Sequence, residues 1–242
     1  MRILVVSDVH GNLPALRAVL DAAPAHDALW SLGDTVGYGG SPNECLDLLA
    51  EAGADPALVG NHDLAAVGLL PIGWFNVYAA QAADWTSMQL TEENRFRIRS
   101  GFTTATIGAF YLVHGSPRDP ARDYVQTLDD ALDALGAVAE RSILCGHTHV
   151  PMLAEIRPGV APTLHRIEPG VAYPIGGMRA LINTGSVGQP RDGDPRASSL
   201  LLDTEAQTVT WWRRAYDLQA AQRAILDAGL PRELAIRLER GR

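Results

Sequence analysis

Five apolar runs in this chain each end in a polar cluster: "SDVH" (7–10), "LGD" (32–34), "VGNHD" (59–63), "LVHGS" (112–116) and "CGHTH" (145–149). That repeated junction narrows what the chain can fold into. Short apolar runs bounded by Gly and Asp read as buried strands, and helical patterns follow several of them. Strands alternating with helices signal an α/β architecture. In sheets built from β-α-β units, ligands bind beyond the carboxyl ends of the strands. Five polar clusters at such ends can therefore meet at one rim.

The elements follow from local pattern. Residues 3–8, 28–34, 56–63 and 142–148 read as strands, and 102–116 as a hairpin or strand pair. Residues 13–23 have helical apolar spacing behind Asn12, a good N-cap, with Pro14 near the start. A second helix at 42–53 is stopped by glycine, and a third covers 128–138. Residues 64–100 read as a helical, cap-like segment. The stretches 179–190, 199–205 and 208–217 form a β-rich closing section, and a tail from Leu218 to Arg242 reads as two short helices broken at "AGLP" (228–231). No repeat, low-complexity tract or linker interrupts residues 1–242, which are expected to form a single domain.

The formal net charge of −8 opposes non-specific adhesion to nucleic acid or anionic membrane. No 18-residue apolar stretch is present, so no transmembrane helix is expected, and "MRILVVSD" reads as a first strand and not a signal peptide. Cys45 and Cys145 form neither a CxxC pair nor a disulfide framework, which fits a cytoplasmic location. All twenty basic residues are arginine. Without lysine, neither a Walker A loop nor Schiff-base chemistry is available.

The strand-end clusters hold Asp8, His10, Asp34, Asn61, His62, Asp63, His114, His147 and His149, and so five of the seven histidines. This is a nitrogen and oxygen donor set without thiolate. It suits manganese, iron or zinc in expanded coordination, and a structural zinc site would favour cysteine. One such cluster alone could be a polar turn. "GHTH" poses the question most sharply, because two imidazoles at i and i+2 of an extended chain point the same way and could converge on a metal.

In order, D-x-H, G-D, G-N-H-D, a lone H and G-H-T-H resemble the calcineurin-like metallophosphoesterase superfamily. The tail "NTGSVGQPR" with two strands after it is similar to the compact bacterial branch, so the resemblance covers nearly the whole chain. It implies a four-layer α/β/β/α sandwich with two central mixed β-sheets. It also implies two divalent metal ions, manganese foremost with iron, zinc or nickel as alternatives. The first ion would take Asp8, His10, Asp34 and His149, and the second Asp34, Asn61, His114 and His147. Asp34 would bridge, and Gly146 would let the backbone approach.

Two metals roughly 3.5–4 Å apart suit in-line displacement at phosphorus, with hydroxide available near neutral pH. His62, left outside the metal shell by the resemblance, is the candidate general acid; a structural histidine is the other reading. Asp63 either tunes His62 or caps the next helix. The protein Ser/Thr phosphatases of the superfamily carry G-D-x-V-D-R-G, whereas this chain has "GDTVGYGGSPNE" (33–44) and lacks both the aspartate and the arginine. Tyr38 and Asn43 are offered as substitute substrate contacts, against a plain glycine-rich turn. Arg118 and Arg191 are candidate phosphate clamps, against solvated surface arginines. Residues 71–88 carry Trp74, Phe75, Tyr78 and Trp85, which either stack on a nucleotide base or pack the helical cap. Of Trp211 and Trp212, one should face the core and the other a surface or partner, on an edge strand that could extend the assembly.

The expectation is a binuclear phosphoesterase acting on phosphodiesters or nucleotide-like esters, with a small phosphate ester as partner and a monomer or homodimer as its state. A phosphomonoesterase or protein phosphatase, and a non-catalytic metal-binding scaffold, are the alternatives.

Overall fold

A computed structural model describes residues 1–138 and 142–242. The first sheet contains β1 (Arg2–Val6), β2 (Ala28–Ser31), β3 (Ala54–Ala57), β9 (Ala172–Pro174), β11 (Ala197–Asp203) and β12 (Thr208–Arg214), in the order β3-β2-β1-β11-β12-β9. The second contains β4 (Thr104–Ile107), β5 (Phe110–Val113), β6 (Ser142–Cys145), β7 (Met152–Ile156), β8 (Thr163–His165) and β10 (Arg179–Asn183), in the order β4-β5-β6-β10-β7-β8. Both sheets are mixed. In the first, β1, β2 and β3 run parallel and β11 antiparallel to β1; in the second, β5, β6 and β10 run parallel and β7 antiparallel to β10.

Side-chain alternation along the strands stacks the layers. Ile3, Val5, Trp30, Leu200 and Trp211 from one sheet share a buried cluster with Leu112, Leu144, Leu153 and Ile182 from the other. The alternate residues Leu4, Val6 and Leu29 face outward onto α1 (Leu13–Asp21) and α2 (Pro42–Glu51) through Leu16, Val19, Cys45 and Leu49. Val113, Ile143, Cys145 and Leu181 likewise face α6 (Leu128–Ala137) through Ala131, Ala134 and Leu135. With period-two side chains, each inner strand can be apolar on both faces only if it is covered on both. The result is the four-layer α/β/β/α sandwich.

Local signals behave as their chemistry requires. The Asn12 side chain accepts the Ala15 N–H at 3.2 Å and caps α1. Gly53, at φ +74°, ends α2. The hairpin at 102–116 forms as β4–β5 across Gly108. The third strand is shorter than expected, because α3 (Asn61–Ala66) begins at Asn61 and takes "NHD" into its first turn. The cap-like segment continues as a 3₁₀ turn (Ile72–Trp74), α4 (Val77–Gln89) and α5 (Glu92–Arg99). The tail folds as α7 (Leu218–Asp227) and α8 (Arg232–Arg240). Tyr38, Ala79, Ala82, Ile225 and Leu234 share one apolar cluster, which joins tail and cap.

β12 corrects one expectation. It is an interior strand, with β11 on one side along its length and β9 on the other at Thr208–Thr210. Trp211 is fully buried and donates its Nε1–H to the Asn183 carbonyl at 2.9 Å, while Trp212 is half-buried with the Arg214 guanidinium over its ring. Trp211→Ala is expected to cost about 3–5 kcal/mol of stability through the cavity it leaves. Trp211→Phe should cost less, about 1–3 kcal/mol for the carbonyl left without its donor. Urea denaturation of the two variants checks both; an unchanged midpoint for Trp211→Ala contradicts the packing described.

Candidate metal centre

The parallel strands deliver their carboxyl ends to one edge of the sandwich. Asp8 and His10 follow β1, Asp34 follows β2, Asn61 and His62 open α3 beyond β3, His114 follows β5 directly, and His147 and His149 follow β6. Backbone hydrogen bonds lace these loops together: the Asp8 N–H donates to Gly33 O at 3.0 Å, His10 N–H to Asp34 O at 3.0 Å, and Gly146 N–H to His114 O at 2.9 Å. All nine predicted cluster residues are buried.

Local conformation is unusual here. Asp8, His10, Asp34, Tyr38, His147 and His149 all have φ between +50° and +66°. Non-glycine residues rarely adopt this left-handed region, and each instance costs of order 1 kcal/mol or more. "GHTH" is therefore not extended chain. His147 and His149 reach the centre from a left-handed loop, and they present different ring nitrogens. Two glycines clear space for the carboxylates. A Cβ on Gly60 would lie 2.2 Å from Asp34 Oδ1, and one on Gly146 would lie 2.6 Å from Asp8 Oδ2 and 2.0 Å from Ser7 Oγ.

Each of four imidazoles is anchored through one nitrogen to a backbone carbonyl. His10 Nδ1 meets Val36 O at 3.0 Å, His114 Nδ1 meets Leu32 O at 3.0 Å, His149 Nδ1 meets Gln189 O at 2.5 Å, and His147 Nε2 meets Arg122 O at 3.2 Å. A carbonyl only accepts, so the anchored nitrogen carries the hydrogen. In the neutral ring the other nitrogen is then a bare lone pair. These inner nitrogens meet in two pairs, His10 Nε2 with His149 Nε2 and His114 Nε2 with His147 Nδ1, each 3.1 Å apart. In the His10–His149 pair both inner nitrogens are lone pairs, which repel at that separation unless a cation lies between them; in the other pair a proton on His114 or a cation can fill that place. Imidazoles held from behind by carbonyls are the usual support of metal ligands.

The carboxylates sit among these nitrogens. Asp8 Oδ1 is 3.2 Å from His149 Nε2, and its two oxygens accept the His147 N–H at 3.2 and 3.0 Å. Asp34 Oδ2 is 3.2 Å from His114 Nε2 and 3.7 Å from His10 Nε2, so it lies between the two imidazole pairs. Its Oδ1 accepts the His62 N–H at 2.8 Å. Two triads, Asp8–His10–His149 and Asp34–His114–His147, each bring their donor atoms within 4.8 Å of one another. Asn61 Oδ1 is buried without a hydrogen-bond partner, as a waiting ligand oxygen would be. The donor set fits divalent cations.

Electrostatics agree. Burial opposes ionisation of Asp8, but His149, His114 and His10 outweigh it and hold the carboxyl low. Asp34 is held low against burial by His114 and His62. Burial lowers His147 to about 3 and also depresses His10 and His149, keeping them neutral and able to ligate. His114 is the exception: despite burial, Asp34 and Asp8 raise it to about 9. It keeps a proton at neutral pH until a cation displaces it.

The other expected residues divide. His62 lies with His10 and Asp34 in a third triad, its Nδ1 buried without a partner. Its ring stacks on Phe75 at 4.5 Å and lies 4.4 Å from the Tyr38 ring. Asp63 acts as the cap: its oxygens accept the Val36 and Gly60 N–H groups, both at 3.0 Å. Tyr38 also packs edge-on to His10 at 4.7 Å, and Arg191 lies over the Tyr38 ring. The Arg118 guanidinium is taken by Asp123 and Asp133. Asn43 ties α2 to the α4–α5 junction through Gln89 O and the Thr91 N–H. Of the aromatic segment, Phe75 touches the site, Trp74 and Tyr78 are exposed, and Trp85 is half-buried against the tail. Sequence reading missed Arg122, whose carbonyl anchors His147, and Tyr124, whose ring stacks on His147 at 3.9 Å. Neither follows a strand end, and no local pattern marks them.

A double-sheet sandwich that gathers Asp and His donors at its strand ends is the architecture of a metallophosphoesterase. Residues 1–207 match the calcineurin-like phosphoesterase superfamily domain, and the chain belongs to that superfamily, whose members bind divalent metals and hydrolyse phosphate esters. An uncharacterized protein of Methanocaldococcus jannaschii is 33% identical over 99% of this chain and 98% of its own. The crystal structure of a metallophosphoesterase from Sphaerobacter thermophilus is 42% identical, covers 100% of this chain and 99% of its own, and superposes with a TM-score of 0.88. A hypothetical protein from Pyrococcus horikoshii shares the fold at 19% identity and a TM-score of 0.80, over 100% of this chain and 98% of its own.

Gly146→Ala is expected to destabilise the protein by about 1–3 kcal/mol, because the methyl must displace Ser7 and Asp8. It should also weaken divalent-cation binding. Denaturation and calorimetric titration check this; wild-type behaviour in both contradicts the close approach.

Proposed function

We propose that the chain is one metallophosphoesterase domain that hydrolyses small phosphate esters, of diester or nucleotide-like type, at two divalent cations. One cation would be held by Asp8, His10, Asp34 and His149, and the other by Asp34, Asn61, His114 and His147. The nitrogen and oxygen donors suit manganese. The observation that carries this reading is the two inward imidazole pairs at 3.1 Å, each anchored from behind by carbonyls. Bound there, two cations would lower the pKa of water and offset the charge of the phosphoryl oxygens.

The chain's own groups would then divide the work. Asp34, fixed through Oδ1 by the His62 N–H, keeps Oδ2 turned between the two imidazole pairs. Asp63 positions the 34–37 turn against the start of α3 through its two backbone contacts. His62 gives a proton to the leaving oxygen. Tyr38 and Phe75 restrict its ring and keep water from it. Burial lowers the His62 pKa to about 4, so the resting imidazole is neutral at pH 7. The anionic ester beside it favours the imidazolium and offsets the opposing charge of the cations.

His62→Ala separates cation binding from proton delivery. Both cations should stay bound, and hydrolysis of nucleoside-type esters should slow by roughly 10²–10⁴-fold, as for loss of a general acid. p-Nitrophenyl esters should suffer far less, since nitrophenolate leaves without a proton. Equal slowing of both classes, or loss of a metal equivalent, contradicts the assignment.

A further inference from the structure

The tail beyond residue 207 lies outside the matched superfamily domain, yet α8 reaches the site. Arg237 in α8 places its Cζ 5.7 Å from the Tyr38 ring centroid, and Arg191 places its own 5.9 Å from the same ring. That ring lies 4.7 Å from His10 and 4.4 Å from His62. Two guanidinium groups thus stand one aromatic ring away from the candidate metal centre and its acid.

Several arginines elsewhere in the fold are neutralised by acidic side chains. Arg97, Arg118, Arg122, Arg196 and Arg213 each pair with an aspartate. Among the described residues neither the Arg191 nor the Arg237 guanidinium is paired with an Asp or Glu side chain. Arg191 donates to Gln189 Oε1 at 3.0 Å, and its Nε is buried without a partner. Arg237 donates its Nε–H to a main-chain oxygen of Arg242, the final residue of the sequence, at 2.7 Å, and its two terminal nitrogens have no partner among the described residues. Burial, and then the Arg191 charge, hold Arg237 below the ordinary guanidinium value. The Tyr38 face gives each cation a modest attraction, but a neutral ring cannot offset two like charges.

We propose that Arg191 and Arg237 form a clamp for a second anionic group of the substrate, so that the preferred ester carries a further phosphate beside the one cleaved. Guanidinium forks match phosphate oxygens in pairs. The Arg191 Nε and the unassigned ends of both forks would complete their hydrogen bonding on it. The clamp rests on the proposed phosphoesterase reading for its purpose, and it explains a role for a tail that the superfamily domain does not include.

Arg237→Gln tests it in the manganese-loaded protein, with adenosine 3′,5′-bisphosphate, in which each phosphate is an ester, and bis-p-nitrophenyl phosphate as substrates. The KM for the bisphosphate should rise roughly 10–100-fold, the loss expected for charged hydrogen bonds, while kcat/KM for the nitrophenyl diester stays within about twofold. Arg237→Lys should fall between, and Arg240→Gln, an exposed neighbour on the same helix, should match wild type. Calorimetric titration with inorganic phosphate should find two sites in wild type and one in Arg237→Gln, with melting unchanged. Equal loss on both substrates would place Arg237 on the scissile phosphate and overturn the clamp, as would wild-type behaviour in both assays. A wild type that hydrolyses neither ester, yet loses its second phosphate site in Arg237→Gln, would sink the phosphoesterase reading and leave the clamp standing.

Discussion

Asp8 and Asp34 are buried carboxylates, and among the described residues only imidazoles pair with their charge. Burying an ionised carboxylate costs several kcal/mol unless its charge is met by something close. Here backbone N–H groups of His147 and His62 meet part of it. Protonated His114 meets a further part at Asp34, and the other inward nitrogens, as bare lone pairs, cannot meet the rest. The arrangement is an excess of donors around a small volume, and divalent cations are the partners that resolve it.

The rest of the fold serves to hold that volume open. Six residues of the site sit in left-handed backbone, a conformation that persists only where its surroundings over-determine it. The two sheets supply that constraint, because each loop leaves a strand buried on both faces and is bonded to its neighbours. Gly60 and Gly146 let backbone pass against the carboxylates where a methyl would collide. The tail and the helical cap add a second wall through Tyr38, whose ring lies against two histidines, with two guanidinium groups 5.9 and 5.7 Å from its centroid.

Much of this was legible in the sequence because strand-end chemistry is local. The runs before Asp8, Asp34, His114 and His147 are apolar and short, and the donors follow at once. The superfamily resemblance then supplied the two-sheet layering, which no single run encodes. Three things were not legible. β7, β8 and β9 lie in a stretch broken by Pro and Gly, with exposed outer strands whose alternation is weak. The start of α3 at Asn61 was read as strand, since Asn and His have no strong preference and the preceding "LVG" is apolar. Arg122, Tyr124, Phe75 and Arg237 reach the site through tertiary placement alone.

On the proposed reading, two divalent cations share one centre between the imidazole pairs. Manganese titrated into the chelator-stripped protein and followed by electron paramagnetic resonance tests it directly. Two equivalents should bind, and their spectrum should be that of an exchange-coupled pair, as ions roughly 3.5–4 Å apart must give. Binding of a single equivalent, or two equivalents showing the resolved hyperfine lines of isolated ions, would contradict it.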